Sequence, residues 1–223
     1  MFTNINTILF DLDGTLVDSS FVWHQIDIDF MNERGLDYSA DAYQKEIEGK
    51  SMRETAVHTI ERFNLQNEYT VDTLVDHWNE MAFDMYKDKV MLKPGAKEFL
   101  KYLHENGFKT SICSSNSYFL VETVLKARGI DKYINTIFTC NEVGRGKPAP
   151  DVYLAAADKL ESTPAQCMVF EDVIPGIMAG KAAEMTTVAM WDDASAYCWD
   201  EKVELANYNY KDYFEVLEVL KNA

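Results

Sequence analysis

The chain has 223 residues, 47% of them hydrophobic and 26% charged, with a formal net charge of −16 at pH 7. That length suits one α/β domain with a modest insertion, and the acidity excludes a nucleic-acid binder, whose affinity rests on Lys and Arg. No apolar run approaches the roughly 20 residues that span a bilayer, and the opening stretch MFTNINTILFD has neither a basic leader nor a small-residue cleavage site.

In chain order, INTILF (5–10) is the first of five unbroken apolar runs that read as parallel strands buried on both faces. It runs straight into Asp11-Leu12-Asp13-Gly14-Thr15. The pattern then changes, because roughly 75 residues from about Val17 to Leu92 hold no strand, far more than a crossover needs. They read as four helices. The first spans about 19–34 and ends at Gly35, and the second runs about 40–48 and stops at Gly49. The third opens with SMRE, where Ser51 and Glu54 have capping-box spacing, and the fourth follows Thr70 through LVDHWNEMAFDMY. Beyond Leu92 strand and helix alternate. PGAKEFLKYLHENG places Pro94 in a first helical turn, and KTSIC (109–113) is the second strand. A helix from Ser117 to Gly129 leads to NTIFTC (135–140), PDVYLAAADKLES, CMVF (167–170), PGIMAGKAAEM and TTVAM (186–190).

This rhythm predicts an α/β fold, a doubly wound, Rossmann-like parallel sheet with an inserted α-helical cap. Residues 1–17 and 93–223 form the expected core and 18–92 the cap. The segment WDDASAYCWDEKVELANYNY (191–210) reads only as a surface return to a C-terminal helix. Cys113, Cys140, Cys167 and Cys198 lie far apart without CxxC spacing and read as reduced thiols of a cytoplasmic protein.

Open parallel sheets bind ligands beyond the carboxyl ends of their strands. At those ends stand Asp11-Leu12-Asp13, Ser114-Ser115-Asn116, Lys147 in GRGKPAPD, and Glu171-Asp172. Each has an ordinary explanation alone: a capped turn, a helix N-cap, a solvated lysine, acids near a helix N-terminus. Together on one sheet edge they describe an active site better than four coincidences. Asp11, Asp13, Glu171 and Asp172 could not all ionise uncompensated. A hard, oxygen-seeking Mg²⁺ with Lys147 balances them and lets an acidic chain accept a phosphate dianion. One carboxylate is then a candidate nucleophile forming an aspartyl-phosphate. A second, two residues on, would protonate the leaving alcohol and later deprotonate water, while hydroxyl, ammonium and metal stabilise charge on the transferring oxygens.

In order, spacing and cap position these residues resemble the haloacid dehalogenase superfamily over nearly the whole chain, in its β-phosphoglucomutase-like and sugar-phosphatase branch. DLDGT is similar to the first motif, the strand ending at Ser114 to the second, Lys147 in GKPAPD to the third, and FED to the fourth. The resemblance implies Asp11 as nucleophile, Asp13 as general acid/base, Ser114 as a hydrogen-bonding partner of the phosphoryl group, and Lys147 as the group holding it. It implies Mg²⁺ bound by Asp11, Asp13 (through its backbone carbonyl), Glu171 and Asp172, directly or through water. Gly14 and Thr15 would shape the phosphate pocket, with Ser115 and Asn116 placed to touch phosphate or substrate.

A carboxylate at Asp13 sets the chain apart from the dehalogenases and phosphonate-cleaving members, which lack it. β-Phosphoglucomutases usually carry Val or Ile in place of Thr15 and a His in place of Trp23, and His24 stands about 100° further round a helix. The implied activity is a Mg²⁺-dependent phosphatase acting on a small phosphorylated metabolite, a sugar phosphate first. A phosphosugar mutase and a non-catalytic binding module are the alternatives. Candidate cap contacts are Trp23, His24, Lys50 and Arg53, each with a packed or solvated alternative. Trp78, Met81 and Met85 read as cap packing, and Asp18 as a bystander in the hinge or a helix cap. The expected partner is a small-molecule phosphate ester, with no nucleic acid, no membrane and a monomeric chain.

Overall fold

The computed structural model describes residues 4–36 and 38–221, with position 41 through its backbone alone. The first three and last two positions assigned to the core lie outside the described residues. In chain order the elements are β1 (Thr7–Phe10), β2 (Val17–Asp18), α1 (Ser20–Glu33), α2 (Ala40–Ile47), α3 (Met52–Phe63), α4 (Val71–Asp88), β3 (Met91–Leu92), α5 (Ala96–Glu105), β4 (Lys109–Ser114) and α6 (Tyr118–Arg128). There follow β5 (Thr136–Thr139), α7 (Cys140–Val143), α8 (Asp151–Lys159), β6 (Cys167–Glu171), α9 (Ile174–Ala182), β7 (Thr186–Met190), α10 (Trp199–Leu205), β8 (Tyr208–Tyr210) and α11 (Tyr213–Lys221).

Among the described residues one sheet has the order β5-β4-β1-β6-β7-β8, and its paired strands all run parallel. Side chains alternate across it. Ile8 and Phe10 join the apolar cluster that includes Phe99 and Leu103 of α5 and Tyr213 and Val216 of α11. Leu9 between them points to the opposite layer, against Val152 and Ala156 of α8 and Ala179 of α9. The strands are therefore covered on both faces, the physical reason their sequences are unbroken apolar runs.

The sheet has a sixth strand where five are expected. β8 lies inside the 191–210 segment, pairs among the described residues with β7 alone and alternates half-buried with exposed positions, so no apolar run announces it. Pro94 does not open a helix. Gly95 precedes α5 with φ 77°, a non-helical angle that leaves Pro94 in the preceding turn.

Between β2 and β3 stand α1 to α4, in the order expected of the cap. Ser51 accepts from Glu54 N and Glu54 accepts from Ser51 N at 2.8 Å, the anticipated capping box. On α4, Leu74, Trp78, Ala82 and Tyr86 are buried at four-residue intervals, one stripe of a helix, with Met81 and Met85 packed beside them. β2 and β3 pair antiparallel, Val17 with Leu92 and Asp18 with Met91, so the chain enters and leaves the cap through one short ribbon. Asp18 belongs to that ribbon, and the helix-capping position falls to Ser19. None of the described helices is long and apolar enough to cross a membrane.

Candidate active site

β1 delivers Asp11 at the carboxyl edge of the sheet, and the chain then turns sharply, Leu16 N and Val17 N both donating to the carbonyl of Leu12. Gly14 sits in this turn at φ 80°, where a Cβ would lie 2.3 Å from Asp172 Oδ2. Only glycine allows both that backbone angle and the close approach to the end of β6. Thr15 then donates its hydroxyl to Asp172 Oδ1 at 2.7 Å.

Lys147, carried between α7 and α8, is buried and donates to Asp11 Oδ1 at 2.5 Å and to Glu171 Oε1 at 2.6 Å. Tyr153 of α8 donates to the same Glu171 oxygen at 2.6 Å. The backbone N–H groups of Asp172 (3.1 Å) and Val173 (3.5 Å) donate to Glu171 Oε2. The fully buried Glu171 fits only because α9 opens with Gly176, whose Cβ position lies 1.9 Å from its carboxyl. Behind Asp172, its carbonyl accepts from Ser195 Oγ at 2.9 Å and from the buried Lys202 Nζ at 2.8 Å.

Asp13 faces the other way, toward the cap. Ser19 donates to its Oδ1 at 2.6 Å, as does the hydroxyl of Tyr86, and Asn116 donates to Oδ2 at 3.0 Å. Tyr86 in turn accepts from Trp23 Nε1 at 2.7 Å and Asn116 Nδ2 at 2.9 Å. Ser114 Oγ accepts from Asn116 N at 3.0 Å, which leaves the hydroxyl proton to be donated.

Charge is concentrated here. Among the described residues, carboxylate oxygens of Asp11, Glu171 and Asp172 lie within 4.8 Å of one another, all buried. Burial lifts Asp11 well above the ordinary carboxylate range, opposed by Lys147. Burial, then the charge of Glu171, pushes Asp172 up to about 8. Burial would depress the Lys147 ammonium, but Asp11 and Glu171 outweigh it and lift it well above its usual value. Such a group of hard oxygen donors with more negative charge than Lys147 balances fits a small divalent cation.

Above this floor lies a cavity of ≈ 480 Å³ between the sheet edge and the cap. Asp13, Ser115, Asn116 and Asp172 line its floor, and Trp23 and Lys50 its cap side. The Lys50 ammonium donates to the carbonyl of Glu46 at 2.7 Å, and Ser115 Oγ donates to the carbonyl of Gly49 at 3.4 Å. The other two candidate cap contacts are placed elsewhere. Arg53 is exposed and paired with Asp72, its backbone N donating to Asn141 Oδ1 at 3.2 Å. His24 is half-buried on α1 and absent from the cavity wall.

The structure also adds residues the sequence did not single out. Tyr86 reaches Asp13 from a helix 73 positions away. The 191–210 segment supplies Asp192, Ser195 and Tyr197 to the cavity wall, and Asp192 receives Lys93, just beyond β3, and Ser20, at the start of α1. A WDD cluster directly after a strand was the available signal, since ligand-facing loops follow strand ends.

Comparison with known proteins identifies the family. The chain belongs to the haloacid dehalogenase-like hydrolases, whose family model matches residues 8–190. It is 32% identical over 187 residues to the bifunctional riboflavin kinase/FMN phosphatase of Arabidopsis thaliana, covering 82% of this chain and 48% of that one. The chain thus spans about half the length of that relative. Over 182 residues it is 26% identical to hexitol phosphatase B of Escherichia coli (strain K12), covering 82% of each. The crystal structure of a hydrolase from Pseudomonas syringae superposes with a TM-score of 0.81 at 25% identity, over 97% of this chain and 98% of that one.

Proposed function

We propose that this protein is a Mg²⁺-dependent phosphatase that hydrolyses a small phosphorylated metabolite, a sugar or polyol phosphate first, through an aspartyl-phosphate on Asp11. The observation that carries this reading is the Lys147 ammonium bonded to Asp11 and Glu171 beside a cavity floored by Asp13 and Asp172. A nucleophile bonded to a cation then lies beside Asp172, which lines the cavity together with Asp13. Relatives named as phosphatases of FMN and hexitols support the same class.

In this mechanism Asp11 attacks phosphorus while the ester bond breaks, and Asp13 delivers its proton to the departing alkoxide. Asp13 then takes a proton from water, whose oxygen attacks the aspartyl-phosphate, releasing inorganic phosphate and restoring the Asp11 carboxylate. Lys147 and the Ser114 hydroxyl stabilise charge on the transferring oxygens. Asp11 and Asp172, with Glu171 and the Asp13 carbonyl, would hold Mg²⁺, which when bound supplies Lewis-acid neutralisation of the phosphoryl charge. Glu171 also acts as the anchor that aims Lys147.

The cap, residues 18–92, would close on the core, 1–17 and 93–223, about the β2–β3 ribbon, excluding water for the first step and admitting it for the second. Trp23 on the cavity wall spends its indole N–H on Tyr86, which favours hydrolysis over a mutase that needs an imidazole there. Every group in this scheme comes from one chain, and four free, buried cysteines suit a reducing, cytoplasmic setting.

The test is phosphate release from a panel of hexose phosphates, hexitol phosphates and FMN, with Mg²⁺ and with chelator. Release that needs Mg²⁺ and favours one or a few polyol or sugar phosphates supports the reading. Conversion of β-glucose 1-phosphate to the 6-phosphate without phosphate release would replace it with a mutase.

A further inference from the structure

The apolar face of α1 is interrupted once. Val22, Ile26 and Phe30 are buried as expected of a cap helix, and Asp27, beside them, is buried too at 7% exposure. A carboxyl in such a place ordinarily answers a cation or a set of donors. Here Gln44 of α2 is its one hydrogen-bond partner among the described residues, donating to Oδ2 at 3.1 Å.

Both residues line the cavity, on its cap side. Burial lifts the Asp27 carboxyl to about 7 with only the Gln44 bond opposing, as befits an acceptor that lacks a protein cation. The neighbouring polar groups are engaged elsewhere. The Tyr43 hydroxyl pairs with Thr59 at 2.5 Å, the Lys50 ammonium is bonded to Glu46, and the Lys45 ammonium stands 5.3 Å above the Tyr197 ring.

We propose that Asp27 and Gln44 form a specificity subsite that reads a pair of neighbouring hydroxyls on the leaving group, at the end remote from the phosphate. The assignment rests on the phosphatase reading above, which puts the phosphoryl group beside Lys147 and Asp11. An acceptor beside a donor matches a diol, because each hydroxyl can both give and receive a hydrogen bond. An ammonium, a donor alone, has no lone pair to offer the Gln44 amide N–H. A second phosphate at this pair would be repelled by the Asp27 carboxyl, and Lys45 and Lys50 of the same cavity lining are engaged with Tyr197 and Glu46. Trp78, Ile26 and Met52 supply apolar wall for the carbon face of a polyol. The substrate class selected is a polyol or sugar monophosphate whose far end carries free hydroxyls.

The test compares wild type, Asp27→Asn and Asp27→Leu, each with Mg²⁺, on a hexitol 6-phosphate, glucosamine 6-phosphate and hexyl phosphate, the last matching the chain length without its hydroxyls. The ratio of kcat/KM for the hexitol ester to that for hexyl phosphate should fall by about 10- to 100-fold in both variants, the value of a charge-assisted hydrogen bond. An unchanged ratio overturns the proposal, whether both substrates decline together, as for a merely structural residue, or neither does. A decline confined to glucosamine 6-phosphate also overturns it, in favour of an ammonium site. Should wild type release no phosphate from any ester, the phosphatase reading fails separately. Calorimetric titration of wild type and Asp27→Asn with the hexitol phosphate then decides the subsite. Weaker binding by the variant sustains it, and equal or absent binding overturns it.

Discussion

The floor and the roof of the cavity are built on different physical terms. On the floor, the charged groups have close partners: Lys147 has Asp11 and Glu171, Asp172 has the Thr15 hydroxyl, and Lys202 has the Asp172 carbonyl. Glycines 14 and 176 stand where any Cβ would strike a carboxylate. The roof is looser. Among the described residues Asp27 has a single hydrogen-bond partner, and Glu48 receives one 3.4 Å contact, from Tyr197. A floor that must hold one transition state tolerates little variation in geometry, whereas a roof that chooses among leaving groups needs polar groups left open to them.

That contrast can be broken first at Asp11. Asp11→Asn should reduce phosphate release by at least about 10⁴-fold, as expected when a covalent nucleophile is lost, while circular dichroism and melting behaviour stay those of a folded chain. Retained turnover would mean the floor is not the site of chemistry.

Crowding the floor should show in stability. Gly176→Ala puts a methyl carbon into the space of the Glu171 carboxyl, 1.9 Å from its Oε1, and should cost about 2–4 kcal/mol in urea unfolding together with most of the activity. The same change at Gly35, where nothing lies within 4 Å of the Cβ position, is the control. There only the strained φ of 62° should register.

On the roof, pH is the lever. The folded Asp27 carboxyl is raised from 3.8 to about 7, so between those values the folded state binds a proton the unfolded state lacks. Stability therefore declines as pH rises through that window and levels off above it. Tyr43, whose own phenol is raised in part by Asp27, is the titratable group facing it, and no described cation contributes. Asp27→Asn removes the term. Its stability advantage over wild type should grow by roughly 2–3 kcal/mol between about pH 5 and about pH 8. An advantage that is constant with pH would mean that Asp27 is not buried in this way.

The smallest expected effect lies where roof meets floor. Tyr86→Phe deletes the donor to Asp13 and strands the Trp23 and Asn116 N–H groups that Tyr86 accepts. It should lower stability by about 1–2 kcal/mol and lower kcat more than it raises KM. A change in KM alone would make Tyr86 a substrate-side residue instead.

The division between the legible and the illegible follows the same line. Asp11, Asp13, Lys147, Glu171 and Asp172 could be read because each sits at the end of an apolar strand or in a Gly/Pro loop, and sheet topology alone brings such ends to one edge. The helices of the cap and the Ser51 capping box were legible too, being set by residues three or four apart. Arg53 shows the limit of that logic. It stands in the first turn of α3, next to the inter-helix loop, and the turn of the helix sends it outward to Asp72.

What the sequence by itself determined is therefore the parallel sheet, the insertion after its first strand, and the identity of the groups on the floor, all products of local pattern and strand order. Only the tertiary structure decided that Tyr86 meets Asp13, that 191–198 walls the cavity, that β8 extends the sheet, and that Asp27 is buried opposite Gln44. The first two depend on the angle at which the cap docks on the core, whereas β8 pairs within the core and Asp27 meets Gln44 within the cap. That angle is fixed by packing between residues tens of positions apart, and no local spacing records it.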